Sequence, residues 1–134
     1  MLSEKTKLVF SQILLITYTL TKLFDSEQEA KQKIALGTSI LLTVSDANNE
    51  DEKICLSHTK DGFFAVQNNC SHAGADLHKG FINEQNEIVC PLHSYCFNLK
   101  TGNSTRGNAP SLKTYRLEWK NDEVTNQKVL FIDV

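Results

Sequence analysis

Two short motifs carry the residues of this sequence that are best suited to bind metal. The first is C-x-H, with Cys70 and His72, and the second is C-P-L-H, with Cys90 and His93; seventeen residues separate the two motifs. Cysteine thiolates and neutral imidazoles are good ligands for iron and for zinc. Because each motif supplies one ligand of each type, two loops could grip a metal centre from opposite sides.

The mixed composition of each motif distinguishes between the possible metal centres. A Cys₂His₂ zinc site usually takes both cysteines from one half of the motif and both histidines from the other half. In a [2Fe–2S] centre with two cysteines and two histidines, the cysteines bind one iron and the histidines bind the second. Each mixed loop can then reach both irons. We therefore favour an iron–sulfur centre, with a zinc site and a site without metal as the alternatives.

The chain contains four cysteines, an even number that would also allow two disulfide bonds in a secreted protein. However, Cys70 and Cys90 each have a histidine within three residues, which favours metal ligation in a reducing compartment. We therefore expect a cytoplasmic protein. Cys55 and Cys96 are expected to be small buried apolar residues, and His58 and His78 ordinary strand and loop residues.

Residues 70–102 resemble the cluster-binding segment of the Rieske family, especially that of the soluble Rieske-type ferredoxins. The matching positions are Cys70, His72, Gly74, Leu77, Gly80, Cys90, Pro91, His93, Phe97, Thr101 and Gly102. The resemblance implies a [2Fe–2S] cluster with Cys70, His72, Cys90 and His93 as its iron ligands. It also implies that residues 103–111, with Pro110, form a third loop that covers the cluster.

The segments around the motifs must form the framework that positions them. Short apolar runs separated by turn residues predict strands, and they lie at 39–44, 53–58, 63–67, 81–82, 87–90, 112–119 and 128–134. Alternation of Ile16, Tyr18 and Leu20 with threonines predicts an earlier strand. Residues 25–33 are expected to form an exposed turn or one helical turn, and residues 103–111 a loop.

This pattern predicts an all-β fold, an antiparallel sandwich or barrel-like domain. The resemblance implies stacked antiparallel sheets with a small cluster-binding subdomain. We accordingly divide the chain into an N-terminal lead-in, residues 1–14, and a Rieske-type domain, residues 15–134, with the subdomain at about 68–111.

Composition and charge exclude some classes of binding partner. The formal net charge is −2 and the lysines and arginines are scattered, which argues against nucleic-acid binding. The apolar run at residues 8–24 has seventeen residues, whereas a membrane span needs about 20. It also lacks a small-residue cleavage site, so neither an anchor nor a signal peptide is expected. Its role stays open.

Four positions depart from the Rieske proteins of respiratory complexes. Those proteins carry an extra cysteine in each ligand loop, paired as a disulfide, where this sequence has Ala75 and Leu92. They also carry serine and tyrosine hydroxyls where this sequence has Tyr95 and Phe97. Fewer hydrogen bonds to sulfur leave the reduced cluster less stabilised. We therefore expect a potential near the bottom of the range of about −150 to +300 mV that such clusters span.

The resemblance implies a one-electron carrier that takes electrons from a flavin-containing reductase and passes them to an oxygenase or other terminal oxidoreductase. The alternative is a small subunit of a larger oxidoreductase, such as an NAD(P)H nitrite reductase. No catalytic site is predicted in the chain itself. Complete oxygenases of this family add a domain with a histidine-bound iron, and no histidine follows His93 in this sequence, so that domain is not expected.

Overall fold

The computed structural model of the chain describes residues 20–134, which contain ten strands, one α-helix and one 3₁₀ turn. The strands are β1 (Leu20–Lys22), β2 (Thr38–Ser45), β3 (Asp51–Thr59), β4 (Gly62–Gln67), β5 (Phe81–Ile82), β6 (Glu87–Val89), β7 (Cys96–Asn98), β8 (Ser104–Arg106), β9 (Thr114–Asn121) and β10 (Lys128–Asp133). The helix α1 spans Glu27–Lys33, and the 3₁₀ turn spans Leu77–Lys79. The predicted lead-in and most of the predicted first strand lie outside the described residues.

Six strands form the larger sheet, in the order β1-β10-β9-β4-β3-β2, and every pair is antiparallel. The predicted hairpin between β3 and β4 is confirmed, with Thr59 paired to Gly62 across the turn. The hydroxyl of Thr59 accepts a hydrogen bond from the Asp61 backbone N–H at 3.0 Å, which closes this turn locally. We call this six-stranded sheet the base sheet.

Helix α1 is longer and more buried than the sequence led us to expect. The Ser26 hydroxyl caps its first turn by accepting from the Glu29 N–H at 3.0 Å. Its Ala30, and Ile34 just after it, are completely buried against residues of the base sheet. Of the two alternatives expected for residues 25–33, the helical one is confirmed and the exposed turn is wrong, because one small and one branched apolar residue suffice to dock a two-turn helix.

Four short strands form the second sheet, in the order β5-β6-β7-β8, again with antiparallel pairs. The prediction of a loop over residues 103–111 is wrong at its start, where β8 pairs with β7. The three residues of β8 are polar and mostly exposed, so no apolar alternation marks them as a strand. The predicted all-β, antiparallel architecture of the chain is confirmed.

Three apolar clusters are buried among the described residues, and the two larger ones hold the sheets. The first packs α1 against the base sheet. The second joins base-sheet residues to residues of the second sheet and to the two motif cysteines; its buried members are Cys55, Val66, Cys70, Leu77, Ile88, Cys90, Phe97, Leu99 and Leu112. The motif cysteines are therefore anchored in a core that spans both sheets. No helix in residues 20–134 is both long and apolar enough to cross a membrane.

Candidate metal centre

The first motif lies in a tight turn that follows β4. The backbone N–H of Cys70 donates to the carbonyl of Ala75 at 2.8 Å, and the N–H of Gly74 donates to the carbonyl of Cys70 at 2.7 Å. Gly74 has φ +75°, a left-handed conformation that glycine adopts without steric cost. The turn is thus closed at both ends by backbone hydrogen bonds, which leaves its side chains free to point at a ligand.

The second motif, after β6, repeats the same turn. The N–H of Cys90 donates to the carbonyl of Tyr95 at 2.8 Å, and the N–H of Ser94 donates to the carbonyl of Cys90 at 3.0 Å. Ser94 occupies the position equivalent to Gly74 and has φ +61°, which is rare for a residue with a side chain. Two equivalent turns therefore present the two motifs.

The turns bury the cysteines and expose the histidines. Cys70 and Cys90 are 3% and 2% exposed, and the two thiols are close enough for Cys90 to raise the pKa of Cys70. His72 and His93 are exposed, with ring centroids 5.0 Å apart and ring planes at 74°. The four predicted site residues are therefore brought together as a pair of thiols on the inside and a pair of imidazoles on the outside.

The surroundings of Cys70 act on its thiol in opposite directions. Burial raises its pKa most strongly, and the adjacent Cys90 thiol raises it as well. Hydrogen bonds from the backbone N–H groups of His72 and Ala73 lower it. The same N–H groups would stabilise negative charge on this sulfur when a metal replaces its proton.

A third loop, residues 107–111, is fastened to both motifs. The Ser71 hydroxyl donates to the carbonyl of Pro110 at 2.5 Å. At the other end of the loop, Gly107 lies so close to Tyr95 that a Cβ on it would overlap the ring atom Cδ2. The Ser104 hydroxyl donates to the Gly107 carbonyl at 2.7 Å and steadies this approach. This loop matches the location expected for the cover of the cluster.

The ring of Tyr95 also contacts a predicted ligand. It stacks on the His72 imidazole, with centroids 4.1 Å apart and an angle of 11° between the planes. His93, in contrast, meets His72 edge-on. The stack joins residues of the two turns that carry the motifs, so no spacing within one motif could have indicated it.

Asn68, which we did not single out in the sequence, organises the first ligand loop. It is completely buried, and its amide donates to Asp76 Oδ1 at 3.2 Å. Its carbonyl oxygen accepts from the backbone N–H of His78 at 3.0 Å and lies 3.1 Å from Nδ1 of the same residue. His78, which is half-buried, is thus part of the loop's internal bonding. A polar residue next to the motif is a weak signal, because its burial depends on the fold.

The remaining cysteines and His58 have structural contacts. Cys55 and Cys96 are buried, as predicted, and burial raises the pKa of both thiols. The Sγ of Cys55 lies 3.7 Å from the Ser57 hydroxyl. His58 Nδ1 lies 2.8 Å from the carbonyl of Ile34 and therefore ties the end of α1 to β3. All four cysteines are free thiols, so no disulfide links the ligand loops.

The donor set fits a two-iron cluster. Within residues 20–134, no group of three or more His, Cys, Asp or Glu side chains is placed to hold one metal ion. A [2Fe–2S] cluster of mixed ligation needs only two protein ligands on each iron, two thiolates on one and two imidazoles on the other. Adjacent thiols and adjacent imidazoles provide this arrangement.

The fold and the site together define an iron–sulfur domain, and comparison with known families gives the same answer. The Rieske [2Fe-2S] domain family matches residues 25–116, well over half of the chain. The chain therefore belongs to the Rieske [2Fe–2S] domain family, and its cofactor is a [2Fe–2S] cluster.

Individual relatives place the chain within this family. It is 36% identical over 72 residues to the 3-phenylpropionate/cinnamic acid dioxygenase ferredoxin subunit of Photorhabdus laumondii, an alignment that covers 53% of this chain and 69% of the relative. Its fold is similar to that of the ferredoxin of carbazole 1,9a-dioxygenase from Nocardioides aromaticivorans, with a TM-score of 0.61, 23% identity and coverage of 84% and 96% of the two chains.

A third similar protein shares the fold of this chain. It is a Mycobacterium tuberculosis protein assigned as the small subunit of an NADH-dependent nitrite reductase, with a TM-score of 0.64, 15% identity and coverage of 89% of this chain and 98% of that one. Because both structural similarities lie below 25% identity, they establish the shared fold and nothing more.

Proposed function

We propose that the protein is a one-electron carrier whose [2Fe–2S] cluster is held by Cys70, His72, Cys90 and His93. The observation that carries this assignment is the pairing of two buried, adjacent thiols with two exposed, adjacent imidazoles on two equivalent turns. Thiolates on one iron and imidazoles on the second are the ligation that distinguishes this cluster type from all-cysteine ferredoxins.

The cluster, when bound, supplies a site that accepts and releases a single electron. The chain's residues determine how a partner reaches it. Cys70 and Cys90 attach it to the core that spans both sheets. His72 and His93 are exposed on the outer side of the site, so they provide the shortest route between a docked partner and the buried thiols.

The acceptor we propose is an oxygenase, and the supporting observation is the similarity to a dioxygenase ferredoxin subunit. For the donor we propose a flavin-containing reductase. A carrier of single electrons needs a donor that can accept a hydride and release its electrons separately, and flavins take part in both hydride and one-electron chemistry. We also propose a cytoplasmic location, because two free thiols must remain reduced to bind iron.

A small subunit of a larger oxidoreductase, such as a nitrite reductase, is the second candidate. The observation in its favour is the fold shared with the Mycobacterium tuberculosis protein. The complete set of four ligands favours the carrier, because a subunit that only supports another chain does not need them. Co-purification with a large catalytic chain would favour the second candidate, and reduction of the isolated protein by a reductase would favour the first.

Spectroscopy of the purified protein tests the cluster and its ligands. We expect about two irons and two sulfides per chain and, after dithionite reduction, the low average g value typical of Rieske centres. His72→Cys and His93→Cys should each shift the spectrum toward that of an all-cysteine cluster or abolish it. His58→Gln is the matched control and should leave the spectrum unchanged, because His58 bonds to α1. Protein that contains zinc and no iron would contradict the proposal.

A further inference from the structure

Tyr95 is in contact with two parts of the site that belong to different loops. Its ring lies parallel to the His72 imidazole at a centroid distance of 4.1 Å. The backbone of the third loop reaches the same ring at Gly107, where even one added carbon would overlap Cδ2. Gly107 also has φ +90°, so a larger residue would be strained there as well as crowded.

An imidazole that is bound to a metal through one nitrogen can still rotate about that bond. Groups around a metal ligand commonly remove this freedom by hydrogen bonding to its other nitrogen. His72 is exposed, and the contact that defines its ring plane is the face of Tyr95. A parallel ring at this distance permits sliding but resists rotation of the imidazole plane, because rotation would drive atoms into the tyrosine face.

We propose that Tyr95 is a positioning residue for electron transfer: its ring, held by Gly107, sets the plane of the His72 imidazole. This inference rests on the proposed function, since it assumes that His72 is a ligand. The effect should be strongest on this imidazole, because Tyr95 stacks on His72, whereas His93 meets His72 edge-on at 74°. It depends on the ring and not on the hydroxyl, since both contacts are made by ring atoms.

Pulsed EPR of the reduced protein tests the inference, because it measures the coupling of the unpaired electron to each imidazole nitrogen. Tyr95→Leu should retain iron and sulfide, but it should change the couplings of one imidazole and broaden the spectrum. Tyr95→Phe should restore the wild-type couplings. Unchanged couplings in Tyr95→Leu, or couplings in Tyr95→Phe that match those of Tyr95→Leu, would overturn the inference.

Gly107→Ala tests the same positioning of His72 by Tyr95 from the side of the third loop. It should disturb the same imidazole in the wild-type background, and it should have no added effect in Tyr95→Leu, because the ring through which it acts is gone. If Tyr95→Leu cannot be loaded with iron, Gly107→Ala decides alone, and wild-type couplings in that variant overturn the inference. Wild-type protein without a cluster would instead contradict the proposed function itself.

Discussion

At residue scale, Phe97 is the position with the clearest consequence for the reduction potential. Its side chain is completely buried in the core that also contains Cys70 and Cys90. A phenylalanine there packs well but donates no hydrogen bond, whereas hydrogen bonds to the cluster sulfurs raise the potential by stabilising the reduced state. The low potential that we expect from the sequence remains a prediction, and the structure shows where to test it.

Phe97→Tyr should raise the midpoint potential in protein-film voltammetry, because it adds a hydroxyl donor within the core that holds Cys70 and Cys90. Some stability should be lost, since a buried hydroxyl is costly when it is incompletely bonded. Phe97→Leu is the control: it changes the packing without adding a donor and should not raise the potential. A wild-type midpoint well above zero, or a lower potential in Phe97→Tyr, would contradict this prediction.

Residue spacing alone could indicate the four candidate ligands, because each motif is short and its chemistry is local. The stack of Tyr95 on His72 could not be predicted, since the two residues belong to different loops. The buried role of Asn68 was equally hidden, because asparagine is more often exposed and only the fold encloses this one. The sequence alone does not show how one loop of the site is placed against another.

At the scale of elements, the first ligand loop depends on Asn68. Its side chain bonds to both Asp76 and His78. Asn68→Ala should destabilise the protein by about 2 kcal/mol, since it removes two hydrogen bonds of about 1 kcal/mol each. It should also speed the loss of iron to a chelator, which absorbance at fixed chelator concentration measures. Asn69→Ala, at an exposed neighbouring position, is the control and should lose iron at the wild-type rate.

Hydrogen bonds to one carboxylate link β3 to β9. The Glu52 carboxylate accepts hydrogen bonds from the Tyr115 hydroxyl at 2.6 Å and from Lys113 Nζ at 2.9 Å. Both bonds lower the pKa of Glu52. The hydrogen bond from Tyr115 has the largest effect, and the bond from Lys113 has the next largest. A carboxyl group whose pKa is lower in the folded state contributes stability above its unfolded pKa and loses it as the pH falls through the folded value.

Glu52→Gln should therefore lower the free energy of unfolding by about 1 kcal/mol near neutral pH, because the amide is a weaker acceptor and carries no charge. The difference between variant and wild type should shrink as the pH falls through the acidic range in which the Glu52 carboxylate becomes protonated. Urea unfolding at several pH values measures it. Glu123→Gln, at an exposed position, should change stability little. A stability difference that grows toward acid pH would show that Glu52 acts in the opposite sense.

The strands and the helix differ in how well the sequence pattern predicts them. Strands β2 to β4 follow from apolar runs and a clear Asp-Gly turn, and they were predicted. Strand β8 was missed because it is polar and stabilised by pairing with β7. Helix α1 was underestimated because its burial is decided by the sheet beneath it and not by its own charged sequence.

At the scale of the whole molecule, the exposed tip, meaning the three loops around the proposed site, contains no carboxylate, ammonium or guanidinium side chain, and the exposed Arg106 comes just before the third loop. The three loops that surround the site, residues 71–75, 91–95 and 107–111, contain no Asp, Glu, Lys or Arg. Leu92, 56% exposed beside His93, adds apolar surface. With a net charge of only −2, long-range attraction should contribute little to docking.

The rate of electron transfer to an oxygenase should therefore fall by less than about threefold between roughly 0.05 and 0.5 M salt, since screening acts on charges that this tip lacks. Stopped-flow reduction of the acceptor measures it. Leu92→Lys is the informative variant, because a charge placed at the contact should introduce a salt dependence that the wild type does not have. A wild-type rate that falls by tenfold or more would show that charges elsewhere govern docking.

Within the part of the chain that the structure describes, the imidazoles of His72 and His93 form the exposed face of the proposed cluster site. A donor and an acceptor that both use it must come and go in turn, since each covers the surface that the other requires. The protein would then work as a shuttle, and its throughput would depend on how quickly a spent partner leaves as much as on how fast the electron moves. Tight binding to either partner would make it a slower carrier.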